Sequence, residues 1–294
     1  MPRRRGTNHI LDSFRHLNAT RVVKESIRVL LLHPTHFHSI SVFLFSPLSI
    51  SLFISHFLTH HFPYLTPFTA NLLRGYGPPP LLLELLLKAS LRVIICFPSS
   101  ITFLLLGKAA TIQAVSDSYD GVGLDRRRIL LRSGEAWFNL LQTSLCESIV
   151  VLCLWGVFAV SLATIPIILS ACGLCSQIMG FQIVLGVLGV PFCLGFAYIV
   201  VLGNLAKVAA VLEPDCCGFK ALVEANTVTV KNQQTALAMS LVGNIGFTIV
   251  EILFEVRVQR GFSFWEVSLL VSMYSFMLVF DTVMNVVFYF ACKF

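Results

Sequence analysis

LLQTSLCESIVVLCLWGVFAVSL, residues Leu140–Leu162, carries one charged side chain, Glu147, in 23 residues. A helix rising 1.5 Å per residue needs about 20 apolar residues to cross a ~30 Å hydrocarbon core, and this stretch supplies them. Five similar runs lie on either side of it: Phe37–Leu58, Ala89–Gly107, Ile178–Leu202, Ala236–Val256 and Val267–Ala291. The 294-residue chain is 56% hydrophobic and 12% charged, about half the ~25% charge of a soluble domain. This excludes a soluble globular enzyme, a disordered chain and a nucleic-acid-binding domain. The reading is an all-α polytopic transmembrane helix bundle of six spans over residues 36–294, preceded by a cytoplasmic segment, residues 1–35. The second span is the least regular, because Glu84, Lys88 and Arg92 crowd its start and Pro98 interrupts it.

The distribution of Lys and Arg sets the expected orientation. Before the first span stand Arg3, Arg4, Arg5, Arg15, Arg21, Lys24 and Arg28. The second connection holds Lys108, Arg126, Arg127, Arg128 and Arg132; the fourth holds Lys207, Lys220 and Lys231; Lys293 closes the chain. The first connection has only Arg74 and Lys88, the third none, and the fifth Arg257 and Arg260. Both termini are therefore expected in the cytoplasm, with the protein in the endoplasmic reticulum, another endomembrane or the plasma membrane. Ile10, Phe14, Leu17, Val23, Ile27 and Leu30 recur at helical spacing among the N-terminal basic residues, the pattern of a helix lying on the membrane surface.

The second and fourth connections repeat a pattern. Gly107-Lys108-Ala109-Ala110 through Asp117 can be laid on Gly203-Asn204-Leu205-Ala206 through Glu213, and a small gap brings Gly121 onto Gly218. Spans two and three thus read as a hairpin repeated in spans four and five, with Pro98 and Pro191 at similar depths. Corresponding interrupted spans point to a binding site in transporter folds; simple duplication, with neighbours re-satisfying the backbone, is the preferred account. Gly180, Gly186, Gly189 and Gly195 around Pro191 allow close helix packing or a kink.

On the stretch Ala206-Lys207-Val208-Ala209-Ala210-Val211-Leu212-Glu213-Pro214 and Gly218-Phe219-Lys220-Ala221-Leu222, the chain resembles the fourth connection of a plant family of uncharacterised multi-pass membrane proteins. That family is similar to the membrane domain attached to some bacterial glycerophosphoryl diester phosphodiesterases. The resemblance covers roughly residues 90–260 and implies a membrane-domain fold. After Gly218 the chain departs from the pattern, with few basic residues from Asn226 to Gln234. The resemblance implies no catalytic residue and no phosphodiesterase activity, since the bacterial catalytic domain is a separate soluble barrel.

Polar groups in hydrocarbon cost about 2.5–3.5 kcal/mol each when ionisable, so each needs a reason. Glu147, Asp281, Asn285, Asn244 and Glu251 form the candidate intramembrane polar site. Glu147 and Asp281 lie at comparable depth from the cytoplasmic side, Asn285 one turn nearer the cytoplasm, Asn244 mid-span and Glu251 toward the outer end. A functional reading lines a cytoplasm-facing cavity with Glu147 and Asp281 to bind a proton or cation. A structural reading has Lys108 or Lys207 snorkelling to these acids and Glu251 meeting Arg92. Glu255 reads as an ordinary interface residue.

All eight histidines precede residue 62, so later spans offer none to a metal or haem, and no metal or cofactor is expected. Cys172-Gly173-Leu174-Cys175 lies in the outer connection, without the βαβ context of a redox motif. Juxtamembrane Cys216 and Cys217 are candidates for S-palmitoylation. Arg126, Arg127, Arg128 and Arg132 precede Trp137 and the third span, and are assigned to anionic headgroups at about 1 kcal/mol each. Gly77-Pro78-Pro79-Pro80 stiffens the outer connection. Phosphate loops, dinucleotide fingerprints and nucleophile elbows are absent from the sequence. The expected function is therefore a non-enzymatic multi-pass membrane protein acting through lipid or protein contacts. Expected partners are membrane lipids and either a second copy or another membrane protein, with no nucleic acid. The alternative is a small-solute or proton/cation-coupled transporter using the acids within the spans.

Overall fold

The computed structural model describes residues 18–61, 94–171, 177–213, 215–260 and 263–293. Among these residues the regular structure is helical, with no strand. The elements are α1 (Ala19–Leu32), α2 (Pro34–Ile40), a π turn (Ser41–Phe45), α3 (Ser46–His61), a second π turn (Ser100–Leu104), α4 (Leu105–Tyr119), α5 (Arg126–Ala171), α6 (Gln177–Leu212), α7 (Phe219–Lys231), α8 (Gln233–Arg260) and α9 (Phe264–Lys293). Six stretches are long and apolar enough to cross a membrane: Pro34–Ser55, Ile94–Tyr119, Arg126–Ile165, Gly186–Leu212, Gln233–Arg257 and Trp265–Lys293.

The six runs read from sequence each fall on one of these stretches, but three helices are longer than hydropathy alone indicates. The second span does not stop at Gly107; it continues as helix to Tyr119. α5 has 46 residues and α6 has 36, about 69 Å and 54 Å at 1.5 Å per residue. Both exceed a ~30 Å hydrocarbon core, so each projects well beyond it. The Cys172–Cys175 motif, Gly77–Pro80, Arg92, Pro214 and the first part of the N-terminal stripe (Ile10, Phe14, Leu17) lie outside the described residues.

The chain divides into two compact units, one containing Phe138–Ser240 with Phe288–Phe294, the other Thr20–Trp137 with Leu241–Val287. In the second unit the core includes Phe53, Val250, Phe254 and Leu270, with Val267, Tyr274 and Met277 packed on it. The Phe53 and Phe254 rings lie 5.3 Å apart, an aromatic contact of the favourable tilted kind. Hydroxyls tie these spans together: Ser49 shares a 2.7 Å hydrogen bond with Ser275, and Ser51 one of 2.7 Å with Ser99. Gly107 admits the Phe45 ring, which lies 2.9 Å from where a Cβ would stand.

Both π turns have a local cause. Pro47 lacks the N–H that a regular turn uses, and the Ser46 hydroxyl donates instead to the Val42 carbonyl while the Ser46 N–H reaches back to Ser41. Pro98 likewise breaks the ladder just before Ser100–Leu104. There the Thr102 hydroxyl donates to the Pro98 carbonyl at 2.7 Å, and the Trp137 indole N–H to the Ile101 carbonyl at 3.0 Å. Prolines and π turns are the usual sources of helix irregularity, and side chains here restore the lost pairing. α4 ends in a left-handed glycine, Gly121 at φ 66°, with the Val122 N–H bonded to the Asp117 carbonyl at 3.0 Å, a Schellman closure.

α1 buries Val22, Ser26, Val29 and Leu30, while Ile27 is 44% exposed. Of Val23, Ile27 and Leu30, the first is half-buried and the last buried; Ser26 is admitted to the packed line because its hydroxyl bonds the Val22 carbonyl at 2.8 Å.

In the first unit α7 packs along α6. Its buried residues are Ala221, Leu222, Ala225, Val228 and Thr229, and α6 buries Leu205, Ala206, Val208 and Ala209. Small residues let helix axes approach closely. Tyr198 on α6 donates to Asn226 on α7 at 2.7 Å. The turn between the helices passes through Gly218 at φ 60°, a conformation that L side chains rarely adopt. Its N–H is held by the Thr143 hydroxyl of α5 at 3.0 Å.

Candidate functional site

Glu147 is placed on α5 and Lys207 on α6, with Nζ and Oε2 2.5 Å apart and side chains only 15% and 12% exposed. Gly203, one turn before Lys207, makes room: a Cβ there would collide with the Glu147 carboxylate. Glycine and lysine four residues apart share a helix face, so one patch of α6 supplies both the space and the countercharge. The acid is thus closed against a cation, the pairing expected on the structural reading of the sequence.

The other members of the predicted cluster belong to the second unit. Asp281 lies in the other unit, on α9, with Oδ1 2.8 Å from where a Cβ on Gly243 would stand. The Asn285 amide donates to the Asp281 backbone carbonyl at 2.8 Å, so it serves its own helix rather than the carboxylate. Asn244 is exposed and Glu251 half-buried. Glu255 is exposed, as an interface residue would be. At that end of the helices it is Arg257 that forms an ion pair, with Glu266 at 3.2 Å.

The arginine cluster splits. Arg126, Arg127 and Arg128 are exposed, whereas Arg132 bonds Asp117 at 3.3 Å. Asp117 is only 6% exposed, while the Arg132 side chain stays 43% exposed. Asp125 accepts the Arg127 backbone N–H at 3.2 Å, capping α5.

A polar centre that the sequence reading passed over lies at the end of α6. Glu213 accepts from the Tyr289 hydroxyl at 2.5 Å and pairs with Lys293, which also reaches Glu224 at 3.2 Å. The Tyr289 side chain is buried. Burial pushes the Glu213 carboxyl upward, but hydrogen bonds from Lys293 and Tyr289, with the Lys293 charge, outweigh it and hold the group below the ordinary carboxylate value. Asn232 points its amide at the Cys292 sulfur, 3.5 Å away. A cavity of about 530 Å³ opens beside Glu213, Cys216, Lys220 and Glu224. Cys216 is 5% exposed, and burial, reinforced by Glu213 and Glu224, pushes its thiol up. Cys217 is half-buried, which makes it the more accessible of the two predicted modification sites. The available signal was the alignment of Glu213 on Asp117, since each acid closes a helix and finds a cation from a distant element.

Among the described residues no group of three or more His, Cys, Asp or Glu could hold a metal ion. His33 and His36 face one another edge to face at 6.4 Å.

Long apolar helices, π turns rescued by hydroxyls and a carboxylate sealed by lysine define a polytopic α-helical integral membrane protein. The chain belongs to the family described as Domain of unknown function (DUF8558), which it matches over residues 81–294. Neither the curated proteins nor the solved structures contain a match to it.

Proposed function

We propose that this is a non-enzymatic six-span membrane protein that acts through contacts with lipids or with other membrane proteins, with both termini in the cytoplasm. The observation that carries the reading is the outer face of α7. Phe219, Val223 and Val230 are 67%, 51% and 62% exposed and lie within about 40° of one another at 100° per residue. A 13-residue helix is too short to span, so an exposed apolar stripe on it belongs at a membrane interface or against a partner. Closure of Glu147 by Lys207 speaks against its service in an ion path. Endomembrane or plasma-membrane residence, lipidation at Cys217 and association with a second copy fit the same reading.

The duplicated hairpin belongs to this proposal. Supporting it are Gly107 and Gly203, each vacating space for a neighbour's side chain, and Gly121 and Gly218, each with positive φ. Asp117 and Glu213 each pair with a cation. Relationship to the plant membrane family, and through it to the membrane domain of the bacterial phosphodiesterases, rests on that repeated loop.

A second reading, transport of a small solute or cation, is favoured by the π turns in the first two spans, a feature often found at functional sites. Purified protein reconstituted into vesicles separates the two. The proposal expects no proton- or cation-coupled uptake above empty vesicles. Uptake that is abolished by Glu147→Gln in a folded protein overturns it in favour of transport.

A further inference from the structure

Where the second and third spans meet, Thr102, Phe103, Leu106, Gly134 and Trp137 line a shallow, largely open slot of about 290 Å³. Its walls are fixed. The Trp137 indole N–H is spent on the Ile101 carbonyl at 3.0 Å, so the ring stands as a wall rather than a floating interface anchor. Gly134 leaves one side vacant, since a Cβ there would meet nothing within 4 Å. Phe103 is 40% exposed, which gives the slot an apolar mouth.

The arginines lie on the same faces of α5. Arg127 precedes Gly134 by seven residues and Arg126 precedes Trp137 by eleven, each within about 20° of the same line at 100° per residue. Arg127 thus stands about two turns, ~10 Å, from the slot. Between them Leu130 and Leu131 are 50% and 64% exposed, which continues the apolar surface outward. Arg132 is held by Asp117 at 3.3 Å, and Asp125 is turned onto a backbone N–H, leaving the Arg126 and Arg127 heads exposed. An apolar groove with two guanidinium groups two to three turns away along the same helix matches a molecule with a hydrocarbon chain and a phosphate, since arginine is suited to bidentate contact with phosphate.

We propose that this slot holds one acyl chain of an anionic phospholipid whose headgroup phosphate is bound by Arg126 and Arg127. The inference deepens the lipid-contact reading above, which it takes as its basis, by naming the site and the lipid class.

The test is native mass spectrometry of the full chain in neutral detergent, titrated with phosphatidylserine or phosphatidylcholine. Three proteins are compared: wild type, Arg126→Gln/Arg127→Gln and Gly134→Leu. Phosphatidylserine is expected to bind wild type with defined stoichiometry and in preference to phosphatidylcholine. The arginine variant should bind about thirty-fold more weakly, at two basic residues' worth of attraction, and Gly134→Leu, which fills the slot, about tenfold more weakly. Gly134 sits in open space inside a helix, so leucine there raises helix propensity and folding is preserved; circular dichroism checks this. Loss of binding in the arginine variant with none in Gly134→Leu overturns the slot while leaving general lipid contact standing. Equal retention of both lipids overturns the anionic headgroup assignment, and retention of neither by wild type overturns the proposal together with its basis.

Discussion

Replacing Lys207 with methionine removes the countercharge of Glu147 while keeping the length and apolar stem of the side chain. Both groups are more than four-fifths enclosed, so the carboxylate left behind is neither hydrated nor paired. Breaking one side of a buried pair costs about 3–5 kcal/mol, and insertion scales put a lone ionised residue mid-bilayer at about 2.5–3.5 kcal/mol. The two figures converge on ~3 kcal/mol for Lys207→Met. Glu147→Gln leaves a lysine that can snorkel toward water, and is expected to cost less, about 2 kcal/mol. The double variant, with no charge left to bury, should fall within about 1 kcal/mol of wild type, because apolar replacements of a buried pair are often neutral. A double-mutant cycle on the unfolding equilibrium in mixed detergent micelles then returns a coupling of ~4–5 kcal/mol. Single variants that each cost under ~0.5 kcal/mol and add linearly would refute the reasoning, since they would place the pair in water.

Gly203→Ala sets a methyl group against the Glu147 carboxylate and is expected to cost about 1–3 kcal/mol by overpacking, read in the same assay; the control Gly186→Ala, at a site with nothing within 4 Å, should not destabilise. The Glu213 carboxyl is held below its ordinary value, so its stabilising contribution is complete above the unfolded value of ~4.3 and is lost as pH falls through the lower folded one. Thermal melts at graded acid pH should show this loss in wild type and much less of it in Lys293→Ala. Tyr289→Phe removes the Glu213 hydrogen bond and should cost about 1 kcal/mol, the charged-group value reduced because Glu213 is 35% exposed; a melt unchanged at pH 7 would contradict the assignment. Maleimide labelling followed by peptide mapping should modify Cys217 before Cys216, and the reverse order would show that the turn before α7 is open.

The spans were legible because some 20 apolar residues in a row have few alternatives to a bilayer. Their ends were not. Gly107 and Gly203 look like the ends of membrane spans in a linear reading, yet each lies within a helix and is small because a distant side chain, the Phe45 ring or the Glu147 carboxylate, occupies its Cβ position. Nothing local encodes that neighbour. The same holds for the candidate site: Glu147 with Lys207 was visible as one of two partner choices, but choosing between Lys207 and Lys108 needs the third dimension. Asn244 lay at mid-depth on paper and is exposed in space, because depth along a helix says nothing of azimuth. Glu213 was missed for the opposite reason, since it read as a turn acid while its partners Tyr289 and Lys293 come from the last helix.

A π turn is bookkeeping in residues as well as in hydrogen bonds. Ser41–Phe45 inserts one residue into a helical path, so everything beyond it is rotated by about 100° relative to an uninterrupted helix. Ser49, Ser51 and Phe53 meet Ser275, Ser99 and Phe254 only in that phase. Packing of the first span is therefore written as a reading frame: shortening the segment by one residue would swing all three side chains off their partners at once, a penalty that no single substitution among them can match.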